Sequence, residues 1–482
     1  MKRQHNFVHI ALIVFISFFA VSCKKWLDVQ PKDQVKDTEI FADETGFKEA
    51  LSGIYSTLTY PRLYGREITF GLTGVLAAEW DYSYSGYNAD KRYEYATSSI
   101  SLTRIDSIWN GMYFAIANAN KLLEAADKNK AVFKGDNYNI IKGEALALRG
   151  FIHFDLLRLF GASFAENPDK IAIPYVTEYS SKVFPQLTVR AFIAGVAADL
   201  EAARELLKSD PIFTGKVIST ANDNGYLINR QVHLNYYAVT GLLARVHLYQ
   251  KSYNKALAYA QEVINSGRFN WVAQSAIYDK AVSDLTFSPE HLFALNVVNL
   301  STIADLNFPL KDGGSDIFNL TQSTLLNNYY EGNTADYRYL YQFEVSQSGL
   351  YYLQKYRQLT STSWPEVCKN KMPLIRLSEM YFIAAECLKT TDIIQAANLV
   401  NTVRTHRGIG AAVINASTFD DVLTSEFRKE FIGEGQLFFY HKRLNHTFIP
   451  NGGNFNLIAL KGYKLPMPQS EYQNASGRVD NQ

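Results

Sequence analysis

Cysteine is scarce in this chain. There are 3 in 482 residues, at Cys23, Cys368 and Cys387. So few thiols, with 9 scattered His, exclude a disulfide scaffold and a zinc-type ligand cluster. Net charge is nearly absent too: 48 Lys+Arg stand against 47 Asp+Glu, a formal +1. A nucleic-acid-binding domain needs a clearly basic surface, so that class drops out. Low complexity is missing, because hydrophobic residues at 47% and charged residues at 20% are ordinary for a globular chain. Beyond residue 21 no apolar run approaches the roughly 20 residues of a membrane span.

Catalytic signatures are absent as well. The sequence contains no Gly-x-Ser-x-Gly elbow, no His-Glu-x-x-His and no phosphate-binding Gly-x-x-x-x-Gly-Lys-Ser/Thr loop. Gly408-Ile409-Gly410 begins like a dinucleotide loop, but it lacks the third Gly and follows a predicted helix. His441 and His446 are not at helical metal spacing. Lys311-Asp312-Gly313-Gly314-Ser315-Asp316 reads as a solvated turn rather than a cation loop. No enzyme, cofactor or metal is expected.

What is present begins at the amino terminus. Lys2 and Arg3 precede the 15-residue apolar run 7–21, too short to span a membrane comfortably and the right length for a secretory signal. Ala20-Val21-Ser22 then leads to Cys23, the position at which a lipoprotein is cleaved and acylated. A signal-anchor helix with a bystander Cys is the alternative. Removing residues 1–22, and with them Lys2 and Arg3, leaves 46 basic against 47 acidic residues. The expected mature chain is tethered by lipid at Cys23 and otherwise soluble.

In the body, apolar residues recur at i, i+3, i+4 and i+7, which predicts helices at 43–59, 106–127, 139–160, 190–207, 232–250, 253–266, 374–389, 392–406 and 419–443. Ala244 and Ala256 are twelve apart across a short turn, as are Ala385 and Ala397. Small residues at that interval suit tetratricopeptide-type hairpins. The long stretches 60–105, 161–188 and 267–372 hold most of the Gly, Asn, Tyr and Pro, and loops on a rigid frame are where binding resides.

Aromatics are plentiful: 31 Tyr, 30 Phe and 5 Trp. The richest segment is 79–95, EWDYSYSGYNADKRYEY. Sugars offer C–H faces to rings and hydroxyls to Asp, Asn and Arg, and here both kinds of residue alternate. As a strand, the segment would place Trp80, Tyr82 and Tyr84 on one face. The candidate ligand residues are Trp80, Asp81, Tyr82, Tyr84, Tyr87 and Asn88, with Arg66 upstream and Trp271, Tyr278 and Trp364 later. Aromatic residues filling a core are the competing reading for each.

Several motifs, in order, resemble the SusD/RagB family of outer-membrane nutrient-binding lipoproteins. They are Cys23 followed by Leu27-Asp28-Val29-Gln30-Pro31; Trp109, Met112, Tyr113, Ile116, Ala119 and Asn120 on one helix; and the segment from Gly143-Glu144-Ala145 through Arg149 and Phe154-Asp155 to Gly161. Arg376 to Tyr381, Ala384-Ala385-Glu386, Asn401 to Arg404, Glu426 to Phe431, Glu434-Gly435 and Pro466-Met467-Pro468 to Glu471 complete the resemblance. It implies a mostly α fold, a single SusD-like body over 23–482 built on helical hairpins with long ligand loops and minor strands. Its N-terminal part would be 23–230 and its C-terminal part 231–482.

The resemblance also implies capture of an oligosaccharide and delivery to a SusC-like TonB-dependent barrel. A peptide ligand, as in the RagB branch, or a ligand-free scaffold are the alternatives. Arg149, Asp155 and Arg158, and the Glu426/Glu430/Glu434 stripe, read as ion-pair partners for neighbouring helices. Lys24 and Lys25 directly behind Cys23 depart from the acidic residues often found there, which bears on whether the protein faces the cell exterior.

Overall fold

The computed structural model describes residues 39–81, 85–219, 225–309 and 317–481. The expected leader, Cys23, its arm, and the 311–316 turn lie outside them.

The helical frame follows from the apolar spacing. Helix α1 (Glu44–Leu58) starts at Asp43, whose carboxylate accepts the Gly46 N–H, and buries Phe47, Leu51, Ile54 and Leu58. Helix α2 (Ser99–Lys128) buries Ile105, Ile108, Trp109, Met112, Ile116, Ala119 and Leu123, an unbroken 3–4 repeat. Helix α3 (Asn137–Phe160) has no polar face, because α2 and α4 (Val189–Leu206) cover it on two sides. A Cβ at Gly143 would lie 2.8 Å from Leu207 and one at Gly150 3.1 Å from Leu200, so glycine permits the α3–α4 approach. Charged groups buried with α3 are paired: Arg149 binds Asp199 at 2.5 Å, and Asp155 binds Arg158.

Helices α5 (Tyr236–Tyr249) and α6 (Tyr253–Asn265) form one hairpin, and α7 (Leu377–Leu388) and α8 (Ile393–His406) another. Ala244, Ala256 and Ala385 are fully buried and Ala397 nearly so, where the sequence spacing put them. Helix α6 also packs on α7, so the hairpins lie side by side. The single helix predicted over 419–443 is two, α9 (Phe419–Phe431) and α10 (Gln436–Leu444). Gly433 and Gly435 adopt φ +79° and +75° between them, and a Cβ at Gly435 would meet the Ile68 carbonyl at 2.1 Å. The helix predicted from 374 begins at Leu377, because the preceding residues form a strand.

Strands are few. β1 (Ile171–Pro174) pairs with β2 (Gln186–Thr188), β3 (His291–Asn296) with β6 (Lys371–Arg376), and β4 (Phe343–Val345) with β5 (Tyr351–Leu353), all antiparallel. The β3–β6 ladder pairs His291 with Arg376 and Asn296 with Lys371, so the excursion 297–370 leaves and re-enters the frame at one place. A second excursion, 59–98, connects α1 to α2. The two meet where Asp81 N–H donates to the Asn319 carbonyl at 3.1 Å. The resulting architecture is mostly α, with one large shared core.

Candidate functional site

The aromatic segment is a wedge driven into the frame. Trp80 is 5% exposed. Its Nε1 donates to the Phe70 carbonyl at 2.9 Å, and its ring lies 5.5 Å from both Phe308 and Phe318. Tyr87 is buried, its hydroxyl donating to the Glu67 carboxylate at 2.9 and 3.0 Å, with the Arg104 guanidinium 3.8 Å above its ring. Burial and the Glu67 charge hold that phenol well above its ordinary pKa, so it stays a donor. Both positions correct the expectation of an open stacking face: an amphipathic ring whose polar atom finds a buried acceptor is more stable inside. Past the expected strand, whose centre at 82–84 lies outside the described residues, Ser85–Tyr87 and Asn88–Lys91 are short helical turns. Tyr82 and Tyr84 lie outside the described residues.

Asp81 clasps the neighbouring excursion. Its carboxylate accepts from Thr321 N–H at 2.7 Å, Thr321 hydroxyl at 2.9 Å and Thr324 hydroxyl at 2.8 Å, which fixes the start of the π-helical segment Ser323–Tyr329. Arg66 is partly exposed and binds Glu67 at 2.7 Å; Asn88 is exposed. Arg66, Trp80, Asp81 and Tyr87 are thus brought together around Glu67, Phe70 and Phe318.

The three later candidates each have other surroundings. Trp271 is half-buried, stacked on His406 at 4.5 Å with Arg407 5.2 Å from its ring. Trp364 is buried, a correction to its candidacy as a ligand face, and its Nε1 donates to the Ser283 carbonyl at 3.1 Å. Tyr278 is 58% exposed.

Beside the wedge runs a groove of about 360 Å³ that sequence reasoning did not find. Phe308 and Pro309 line it with Asp305, Leu353, Gln354 and Arg357. Phe308 is shared with the wedge through its contacts to Trp80 and Phe70. Arg357 donates to Glu344 at 3.3 Å, while its Nε is buried without a partner among the described residues. The groove therefore offers an apolar floor beside a carboxylate, an amide and a guanidinium. The only signal in the sequence was the Phe308-Pro309 pair beside a Gly-rich turn, and nothing local linked it to Arg357.

The Glu426/Glu430/Glu434 stripe closes on itself. Arg338 binds Glu426 at 2.9 Å and Glu430 at 3.0 Å; Arg376 binds Glu430 at 2.5 Å and Glu434 at 2.9 Å; Arg407 binds Glu430 and Glu290, both at 2.6 Å. Burial alone would raise the Glu426 carboxyl, but Arg338, Lys429 and Arg404 outweigh it and hold it at about 2. Such carboxylates are poor proton donors, and the arrangement is structural, as the helix spacing implied. Nearby Glu79 is different. Burial raises its carboxyl to about 8 against the Gly433 N–H and Lys355, so it is neutral at pH 7. Among the described residues no cluster of three His, Cys, Asp or Glu is placed to hold a metal ion.

Comparison with known proteins decides what frame this is. A family described as SusD-like, starch-binding associating with outer membrane, matches residues 25–222, and the SusD family matches residues 319–455. The chain belongs to the SusD/RagB family. A SusD-like protein, P25, from Formosa agariphila is 21% identical over 285 residues, 55% of this chain and 46% of that relative's length. The match spans less than half of that relative. A SusD superfamily crystal structure from Bacteroides thetaiotaomicron superposes with a TM-score of 0.71 at 24% identity, covering 91% of this chain and all of the other. Surface glycan-binding protein A from the same organism, in complex with laminarihexaose, gives a TM-score of 0.66 at 18% identity, covering 90% and 98%. At these identities the structures establish the SusD fold alone.

Proposed function

We propose that this SusD/RagB protein is a glycan-binding lipoprotein of the outer membrane that captures an oligosaccharide and passes it to a SusC-like, TonB-dependent barrel. The observation that carries the reading is the groove beside the wedge, where an apolar floor at Phe308 and Pro309 meets Asp305, Gln354 and Arg357. Sugars need that pairing of C–H contact with hydrogen bonding, and the excursions that build it are braced by Asp81 on the Thr321–Thr324 turn. The family match supports outer-membrane association, and the laminarihexaose bound by a structural neighbour supports a glucan. The protein acts by binding, not turnover. Cys23 carries the lipid anchor, and the body faces outward over the barrel mouth. Among the described residues no helix is long and apolar enough to cross a membrane.

The test is calorimetry of the mature chain with laminarihexaose, maltohexaose and a peptide library, with Arg357→Ala alongside. Binding of a glucan, weakened about tenfold or more by the substitution, supports the reading. Peptide binding with no glycan bound would replace it by the peptide-capture alternative. A mild-detergent pull-down of the lipidated protein from native membranes tests the partner: a stoichiometric large barrel is expected. Trypsin shaving of intact cells tests outward exposure.

A further inference from the structure

A second groove, about 310 Å³, runs along the solvent side of α2 and shares no lining residue with the Phe308 groove. Its apolar wall is Trp109, Tyr113 and Phe184, and Trp109 and Tyr113 rings sit 4.7 Å apart. The wall is rigid. Tyr113 donates to the Pro174 carbonyl at 2.8 Å, and the Asn120 amide donates to the Val176 and Glu178 carbonyls at 3.1 and 3.3 Å, which straps segment 174–178 along the helix. Arg478 closes the far side, donating to the Phe184 carbonyl at 2.7 Å and to Glu471 at 3.0 Å.

Two rings stand at the margin and are unusually open. Phe114, one turn from the lining residue Asn110, is 57% exposed, and Tyr179, next to the lining residue Ser180, is 51% exposed with the Lys121 ammonium 5.1 Å from its centre. Helical rise places Lys121 roughly 10 Å along α2 from Phe114. The neutral polar groups open to a ligand are the exposed Asn110 and Asn474 amides and the Ser180 hydroxyl. The charged ones are matched, Arg478 to Glu471 and Lys182 to Glu178 at 3.1 Å.

We infer that this groove is a second carbohydrate site, one that takes a stretch of neutral polysaccharide across Phe114 and Tyr179. The inference rests on the glycan-binding reading above. The volume suits a short segment, at the lower end of small-molecule pockets (about 300–1,000 Å³). Two separate rings, with Asn118 and Lys121 on the helix face between them and the Asn110, Ser180 and Asn474 side chains in the adjoining groove, match a chain of sugar rings better than the continuous apolar patch that a protein partner buries. Engaging one long chain at two grooves raises retention through effective concentration, without tighter contacts at either.

The experiment uses the mature chain with laminarihexaose and laminarin, by calorimetry and affinity electrophoresis, together with hydroxyl-radical footprinting. Phe114→Ala with Tyr179→Ala is expected to leave hexasaccharide affinity unchanged and to weaken polymer retention about tenfold; polymer is expected to protect both rings in the parent protein. The pair Phe114→Gln and Tyr179→Gln, which keeps side-chain length on the surface, guards against a folding artefact. Polymer retention that falls with Arg357→Ala but is untouched by either α2 pair overturns this groove and leaves the first reading intact. Protection of the two rings by peptides and not by laminarin also overturns it. Failure to retain any glycan overturns both.

Discussion

The ionic knot beneath α9 and the aromatic wedge of residues 79–95 hold the two residue types most readily taken for functional machinery. One concentrates Glu and Arg, the other Trp, Tyr and Asp. Both are largely turned inward, for the same reason. In the knot Glu426 and Glu430 meet guanidinium groups on both sides, and Arg376 and Arg407 each bridge two carboxylates. In the wedge each described ring has a buried acceptor for its polar atom: Phe70 for Trp80, Glu67 for Tyr87, Leu76 for Tyr93 and Gly462 for Tyr95. A group whose partners are complete is spent on structure. The Phe308 groove differs because the buried Arg357 Nε has no partner among the described residues and the Asp305 carboxylate is exposed beside it.

The hardest blow to that contrast is Arg376→Ala. It strips two carboxylates of their partner inside the core, and breaking a buried pair in this way costs about 3–5 kcal/mol or more. Denaturant unfolding should show a protein that is barely folded, while a wild-type response would mean the knot is not closed. Trp80→Ala probes the wedge by the same measurement. As a core residue it should cost about 3–5 kcal/mol through its cavity, and loss of ligand affinity with unchanged stability would return Trp80 to the ligand face.

Acidity separates the regions further. His153 is buried, its Nδ1 against the Arg149 carbonyl and its Nε2 accepting the Val176 N–H, and burial lowers it to about 3, as it does His291. Below about pH 6.5 the unfolded chain binds protons that the native state does not, so unfolding free energy should fall steadily from pH 6.5 toward 3. A flat profile would place both imidazoles in contact with water. Glu79 works in the opposite direction. Its raised carboxyl keeps a proton that the unfolded chain releases above about pH 4.5, so stability should decline between about pH 4.5 and 8. Glu79→Gln removes that decline, and should raise stability by about 1–3 kcal/mol at pH 8.5 and by less at pH 5. The smallest effect is expected for Tyr278→Ala. At 58% exposure it should move stability by no more than about 0.5 kcal/mol.

Much of the frame was legible in the residues. The 3–4 repeat located α1 and α3 to α8 within four residues and missed only the first two turns of α2, which starts at Ser99 rather than 106, and the alanine pairs marked two hairpins, because a helix face records its own burial. The 419–443 stretch misled because its periodicity runs through Gly433 and Gly435; only the Ile68 carbonyl, distant in sequence, shows why glycine must stand there. The candidate site was less legible. Alternation made 79–95 look like a strand with one aromatic face, yet Phe308 and Phe318 take up the Trp80 ring from a separate excursion. Residues that gain their meaning from partners some 230 positions away carry no local signature.

The sequence alone determined the class of protein: a nearly neutral, cysteine-poor, mostly α chain with a leader-like start and motifs in SusD/RagB order. It did so because composition and periodicity are local properties. The tertiary structure decided which aromatic and charged groups are consumed by the core and which grooves remain. That choice depends on the meeting of the 59–98 and 297–370 excursions at Asp81, where long-range hydrogen bonds and ring packing complete some side chains and leave others open.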